Sequence, residues 1–402
     1  MKHERTRVAV VGGGIGGLSL ARLLQLAEAE VEVTVYEAEE GPDARPQGGY
    51  LDLHSYTGQR ALREARLYDA FMERIEVNQD ALTIMDQNLD VIYKDEGDGS
   101  RPEIDRAKLR QLLLDAVVPN TIRWGSKLRA VTGPSHSDGP IELHFADGSV
   151  EEADVVVGAD GAWSKVRQVL TDAKPEYTGV SFVDAVYLCN NVDTSFLRKG
   201  TLFALDTEGH AALGHIDAKS AHIYFAQKVP KGSCTVASAQ TIVSSWALPM
   251  RALASSKPAC ATVRPIDTLP PGLTWTRDEP WKARVALIGD AAHLMTPFAG
   301  EGANLALADA TDLSRVLIRA ISLHEDLGKS ISNFEKYTLW PRSHEAARES
   351  KANLETFFFK GNDAHGIARW MKSMFSLRSM VSMAFSYMRN LLWWCWGYDY
   401  FY

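Results

Sequence analysis

Cysteine is scarce in this chain. Its 402 residues hold four, Cys189, Cys234, Cys260 and Cys395, and no two form a CxxC pair. That spacing argues against zinc, so no metal is expected, and a reducing cytoplasm is the expected setting. Positive charge is short too. Forty-three Lys and Arg stand against 51 Asp and Glu, a formal net charge of −8. No early segment gathers a basic face, which argues against a nucleic-acid partner. GxSxG and HExxH are both absent, so neither a serine nucleophile elbow nor a zincin helix is present. There is no internal repeat and no low-complexity linker. The N-terminal MKHERTRVAVVGGGIGGLSLARLL has the outline of a signal peptide, but five glycines break its apolar stretch.

What remains is an ordinary globular composition, 46% apolar and 23% charged, in a length that suits two domains of roughly 150–200 residues. Residues 7–11 form a short β-branched run that ends in glycine, which predicts a buried parallel strand. Apolar residues recur at helical spacing over 15–26, and 31–36 is again β-rich, giving β–α–β in about thirty residues. Helices are predicted over 57–73, over 105–117 with Asp105 as N-cap, over 302–321 and over 330–359. ALTIMD and DVIYKD pair as a hairpin around Asn88, and Asp147-Gly148 marks another. ADVVVGADG is a further buried strand running into a turn. Between about 178 and 262 short strands follow one another with turn residues between, which predicts an inserted antiparallel sheet. The expected fold is α/β: a Rossmann-like domain with a parallel sheet (1–75, 100–177 and 265–325), an antiparallel substrate domain (76–99 and 178–264), and C-terminal helices (326–402).

Gly12-x-Gly14-x-x-Gly17 follows the first strand and opens the first helix. Gly12 permits the tight turn, Gly14 lets backbone approach a pyrophosphate, and Gly17 lets helix pack on strand. The helix N-terminus offers unpaired N–H groups to the phosphates. Glu37 closes the second strand about twenty residues on, placed to accept both ribose hydroxyls. A carboxylate there disfavours a 2′-phosphate, so this site suits FAD or NAD over NADP.

Two more strand-to-turn signatures choose between those coenzymes. One is GADGAWSKVR, with Asp160-Gly161. The other is GDAAHLMTPFAGEGAN, with Gly289-Asp290, Pro297, then Gly300-Glu301-Gly302-Ala303-Asn304. Asp290 suits the ribityl hydroxyls of a flavin. A helix starting after Gly300 would aim free N–H groups at the flavin edge that turns negative on reduction. His293 reads as a packed or solvated histidine.

Together the three motifs resemble the class A flavin monooxygenases, the para-hydroxybenzoate hydroxylase-like family, over about residues 7–320. ARPQGGYLDLH, PEIDRAKLR and GDAAHLMTPFAGEGAN are similar to segments of the tetracycline-inactivating members. By that resemblance Arg45 contacts NADPH, while Asp52 and Arg106 contact FAD. Arg110, one helical turn on, shares Arg106's face. The resemblance implies an enzyme in which NADPH reduces bound FAD and a flavin C4a-hydroperoxide passes one oxygen atom of O2 to a polycyclic aromatic, phenolic or polyketide-like substrate. Secondary metabolism or antibiotic inactivation is the implied setting. This chain keeps Asp160-Gly161 where the antibiotic-inactivating members have lost it. Their substrate-gripping glutamine and arginine align loosely with Asp184 and His210. Asp184, Tyr187, His210 and His215, all in the predicted inserted sheet, are candidates for a base that ionises the substrate, against the plainer reading as ordinary strand residues. Two alternatives remain at this stage. A flavin halogenase would carry WxWxIP, which is missing. A non-enzymatic binding protein of the GDI type would not need the segment from Gly289 to Asn304.

Residues 369–398 contain no acid and four bases, Arg369, Lys372, Arg378 and Arg389, among dense Met, Phe and Trp. Those charges preclude a transmembrane helix. The tail reads as a helix packed over the two domains, as a peripheral membrane contact or as a dimer contact.

Overall fold

Six residues, Thr6–Val11, begin the fold as a strand buried over its last four positions. The helix Ile15–Leu26 returns the chain, and Val31–Tyr36 pairs in parallel with the first strand from Thr6↔Val31 to Val11↔Tyr36. This computed structural model describes residues 5–44, 48–75, 81–134, 139–197, 200–216, 219–360 and 365–368. Arg45 and the aromatic tail from 369 onward lie outside them.

The first two strands sit inside a five-stranded, all-parallel sheet. Its order is Val285–Leu287, Val155–Gly158, Thr6–Val11, Val31–Tyr36 and Ile122–Arg123. Val155, Val156 and Val157 are fully buried, as expected where both faces of a parallel sheet are covered. One cover is the helix Gly302–Ser322, which crosses Ile15–Leu26 closely: a Cβ on Gly16 would lie 3.3 Å from the Ala306 carbonyl.

A seven-stranded sheet stands apart from it, in the order Cys260–Thr268, Glu176–Leu188, Ser220–Lys228, Ala211–Ile216, Gly200–Leu205, Leu82–Asp86 and Val91–Asp95. All its pairs are antiparallel except Gly200–Leu205 with Leu82–Asp86. Alternation along the strands separates its two faces. Val183, Ala185, Tyr187, Ile223 and Phe225 pack with Trp246 and the helices Ser238–Ile242 and Leu248–Ser255. Phe182 and Ala226 face the other way, toward Phe298, Phe357 and Phe358. Tyr187 is thus corrected as a candidate base. It is buried in the core on the far face, and burial pushes its phenol up to about 12.

Several elements differ from expectation. The helix predicted over 57–73 is two, Gly58–Glu64 and Tyr68–Met72. Arg66 takes φ +59 between them, and Leu67 N–H closes the turn on Leu62 O at 2.8 Å. The helix predicted over 330–359 starts earlier, at Leu327, because Asp326 caps it by accepting from Lys329 N–H. It runs through a π turn, Glu335–Leu339, just before Pro341. Proline lacks the donor and its ring collides with the carbonyl four residues back, so a wider turn relieves both. Cys260–Thr268 holds Pro265 because it is an edge strand. Among the described residues no helix is long and apolar enough to cross a membrane.

Candidate active site

The glycine loop after the first strand is shaped by what a side chain would strike. Gly12 has φ +109, and a Cβ there would lie 2.3 Å from Ala159 O. A Cβ on Gly17 would lie 2.1 Å from Gly12 O. Gly14 differs: nothing lies within 4 Å of its Cβ position. It caps the helix Ile15–Leu26 in extended conformation, with no side-chain cap and no acid in the first turn. The free N–H groups and the positive helix end therefore face open space. Glu37 reaches into the same loop, accepting from Gly13 N–H at 2.5 Å and Glu39 N–H at 2.9 Å. Arg110 is buried beneath it and gives its guanidinium to Gly13 O (3.1 Å), Pro42 O (2.8 Å) and Glu39 (3.1 Å). That side chain supports the loop. Arg106 is exposed, and its backbone N–H donates to Gly49 O at 3.0 Å.

The second turn lies against the first through Ala159. Asp160 closes its own loop, accepting from Ser164 Oγ at 2.5 Å and from Lys165 and Val166 N–H at 2.7 and 3.2 Å. Burial outweighs those bonds and raises its carboxyl. Arg167 then ties this turn to the third, donating to Ala162 O (2.6 Å) and Ala291 O (3.0 Å).

In the third turn Gly289 takes φ +58, and Asp290 opens the short helix Asp290–His293. The Asp290 carboxylate has no hydrogen-bond partner among the described residues. Pro297 starts a 3-10 turn that ends at Gly300, φ +68, and the long helix begins at Gly302. Nothing lies within 4 Å of a Cβ on Gly302. Ala303 follows, half-buried. The Asn304 side chain is fully enclosed and fully used. It donates to Asp52 O (2.9 Å) and Gly300 O (3.3 Å), and accepts from His54 N–H (2.9 Å) and Thr57 Oγ (3.2 Å). The segment carrying Asp52 is thereby fastened to the helix start.

His54 escaped the sequence reading. Its Nε2 lies 3.1 Å from Asp52, its Nδ1 3.4 Å from Glu301. Burial alone would lower its pKa, but the two carboxylates outweigh that and push it up to about 9. An imidazolium is thus held beside the helix N-terminus at neutral pH.

The seven-stranded sheet closes this space from the other side. Gly49 N–H donates to the Tyr224 hydroxyl at 3.2 Å. A Cβ on Gly49 would stand 2.5 Å from that oxygen and 3.3 Å from His222 Nδ1. His222 Nε2 bonds Asp184 at 2.5 Å, and the other Asp184 oxygen accepts from Arg264 Nε at 2.5 Å. Burial works to raise the Asp184 carboxyl, but His222 and Arg264 hold it below the usual range. Asp184 is therefore committed to orienting His222. Burial pushes the Tyr224 phenol up to about 12.

His215 is also buried here, 3.0 Å from Glu103 and stacked on Tyr50 at 3.6 Å. His210 is elsewhere. It sits in the turn after Gly200–Leu205, bonded to Asp206, which also accepts from Trp246 Nε1. Its place as a candidate base is corrected: this cluster closes a turn. His222, Tyr224 and Glu103 were missed. The signal available was the alternation H-x-Y within the otherwise apolar run AHIYFA.

Three glycine turns and the polar cluster of Asp184, His222 and Tyr224 on the seven-stranded sheet thus face a common space. Free N–H groups line it at two helix starts, with carboxylates at Glu37 and Asp290. That donor set fits a dinucleotide with an anionic middle and hydroxyls on either side.

Comparison with known proteins agrees with that chemistry. A family model described as FAD binding domain matches residues 5–326. Monooxygenase asqM of Emericella nidulans is 30% identical over 383 residues, covering 79% of this chain and 85% of that protein. The 3-amino-4-hydroxybenzoate 2-monooxygenase PtmB3 of Streptomyces platensis is 30% identical over 374 residues, 89% of this chain and 90% of its own. Among solved structures, tetracycline destructase Tet(51) superposes with a TM-score of 0.68 at 18% identity, covering 93% of this chain and 99% of that one. That last likeness concerns the fold alone.

Proposed function

The chain belongs to the FAD-binding-domain family of class A flavin monooxygenases, and from that premise we propose that it transfers one oxygen atom of O2 to a polycyclic aromatic, phenolic or polyketide-like substrate, with NADPH as electron donor. The observation that carries this reading is the convergence of three glycine turns on one space that the sheet face carrying Asp184, His222 and Tyr224 closes. In the proposed arrangement the Gly12–Gly17 loop holds the FAD pyrophosphate and Glu37 the ribose. Asp290 takes the ribityl hydroxyls, and Gly302 to Asn304 present backbone N–H groups to the flavin ring. When bound, FAD supplies electron relay and activation of O2.

The chain's own tasks are placement, proton handling and exclusion of water. The N-terminus of Gly302–Ser322 stabilises negative charge on whatever faces it. His222 shares one nitrogen with Asp184 and turns the other to the Gly49 loop, where it receives the proton of a substrate hydroxyl. Phe182 and Phe298, 5.9 Å apart edge to face, dry the adjoining wall. Relatives named as monooxygenases of small hydroxylated aromatics support the substrate class. Tetracycline itself is not favoured, since this chain keeps Asp160-Gly161.

The test is direct. Purified protein should be yellow, with absorbance near about 450 nm. It should oxidise NADPH faster in the presence of a phenolic panel member, giving a product one oxygen atom heavier. A colourless protein that takes up no added FAD would defeat the proposal, as would bromide-dependent turnover, which points to halogenation.

A further inference from the structure

His293 and Asp309 take no part in the site as described, yet both are buried and charged in character. Asp309 lies in the long helix, seven residues and roughly 10 Å beyond Gly302. It is fully enclosed. Its Oδ2 accepts from Gly289 N–H at 2.9 Å and bonds His293 Nε2 at 2.6 Å. Its Oδ1 accepts from Arg342 at 2.8 Å, and Arg342 also holds Asp312 at 2.7 Å. Burial works to raise the Asp309 carboxyl, but His293, Arg342 and the Gly289 N–H together hold it below the usual range.

The position of these bonds gives them meaning. Gly289 sits at φ +58, ψ −143, a conformation few residues hold without support. The next residue is Asp290, whose carboxylate has no hydrogen-bond partner among the described residues. Gly289 N–H is fastened to Asp309 on one side of the turn. His293, at the end of the same short helix, is fastened to the same carboxylate. The turn is thus pinned before and after Asp290 by one atom, Asp309 Oδ2. That atom belongs to the helix whose first residues face the flavin space.

We infer that Asp309, clamped by His293 and Arg342, is a positioning residue that sets the Gly289-Asp290 turn for the flavin half of the coenzyme. The inference rests on the FAD reading above and assigns these residues no contact with the coenzyme. It separates the two halves of the ligand. The ADP half meets Gly12 to Gly17 and Glu37, which Asp309 does not touch. Only the ribityl and flavin half depends on Asp290.

The experiment uses the full-length protein stripped of flavin and titrated separately with FAD and with ADP, alongside apo-protein melting. In Asp309→Asn, the Kd for FAD is expected to rise by about tenfold or more, while that for ADP stays within about twofold. His293→Leu, which spares the carboxylate, is expected to show the same split at about threefold, and His293→Gln, which keeps a donor toward Asp309, to restore it. If Asp309→Asn does not fold, the His293 pair decides. Equal weakening of FAD and ADP overturns the inference, as does unchanged FAD binding in both Asp309→Asn and His293→Leu. Wild-type protein that binds ADP but no FAD, or neither, overturns the functional reading first and this inference with it.

Discussion

At the scale of single residues, the site separates glycines that avoid protein from glycines that leave room for something else. Gly14 is of the second kind. Its backbone is extended, φ −79, ψ −179, and its Cβ direction is open. Gly14→Ala should therefore leave apo-protein stability within about 0.5 kcal/mol of wild type, yet weaken FAD by about tenfold or more as its methyl enters the pyrophosphate's place. Urea unfolding and flavin titration of the same preparation read the two effects. His54 gives a pH signature. Its pKa in the fold, about 9, stands above the ordinary 6.5. The stabilisation is thus complete below pH 6.5 and is lost as pH rises through about 9. Wild type should lose roughly 1–3 kcal/mol more than His54→Gln across that window. Melting curves from pH 6 to 10 with parallel slopes for the two proteins would contradict this.

At the scale of elements, the support behind the loops is as informative as the loops. Arg110 holds the first turn from below with three bonds, at 5% side-chain exposure. Arg110→Ala removes the donor to the Gly13 and Pro42 carbonyls and one partner of the Glu39 carboxylate. The expected cost is about 2–4 kcal/mol in urea unfolding, with weaker FAD binding because the loop loses its brace. The helix 106–116 was legible because Asp105 caps it, accepting from Ala107 and Lys108 N–H. The break at Arg66 was not, since neither glycine nor proline marks it. Its left-handed residue is imposed by packing of Leu62, Leu67 and Phe71, all buried in one core. The π turn before Pro341 follows from a visible proline, but a proline signals an end more often than a widened turn.

At the scale of the whole molecule, the seven-stranded sheet meets the Gly49 loop through the Tyr224 hydroxyl. That loop leads into Tyr50–Asp52, whose partner strand Glu103–Asp105 runs into the helix Arg106–Ala116. Gly49→Ala would place a methyl 2.5 Å from the Tyr224 hydroxyl. The expected result is a looser closure, seen as a several-fold larger share of NADPH electrons appearing as H2O2, with FAD affinity little changed. Peroxide yield equal to wild type at equal NADPH consumption would argue against a sealing role. The same convergence explains why a non-catalytic reading does not stand: the chain's relatives are monooxygenases, and the third turn is built as fully as the first.

Local chemistry made the coenzyme half of this protein readable from the chain alone. GxGxxG, Glu37, Asp160-Gly161 and Gly289-Asp290 each act within a strand-turn-helix unit, so their spacing carries their geometry. The starts of the helices at Ile15 and Gly302 were readable for the same reason. The polar cluster to which we assign proton handling was decided only by tertiary structure. Asp184, His222 and Arg264 come from three neighbouring strands, and Asp309 meets Gly289 across 20 residues. Which face of a strand is turned to the flavin space, and which carboxylate is already spent on a neighbour, depends on contacts between distant segments. Periodicity shows that a strand has two faces; only packing chooses between them.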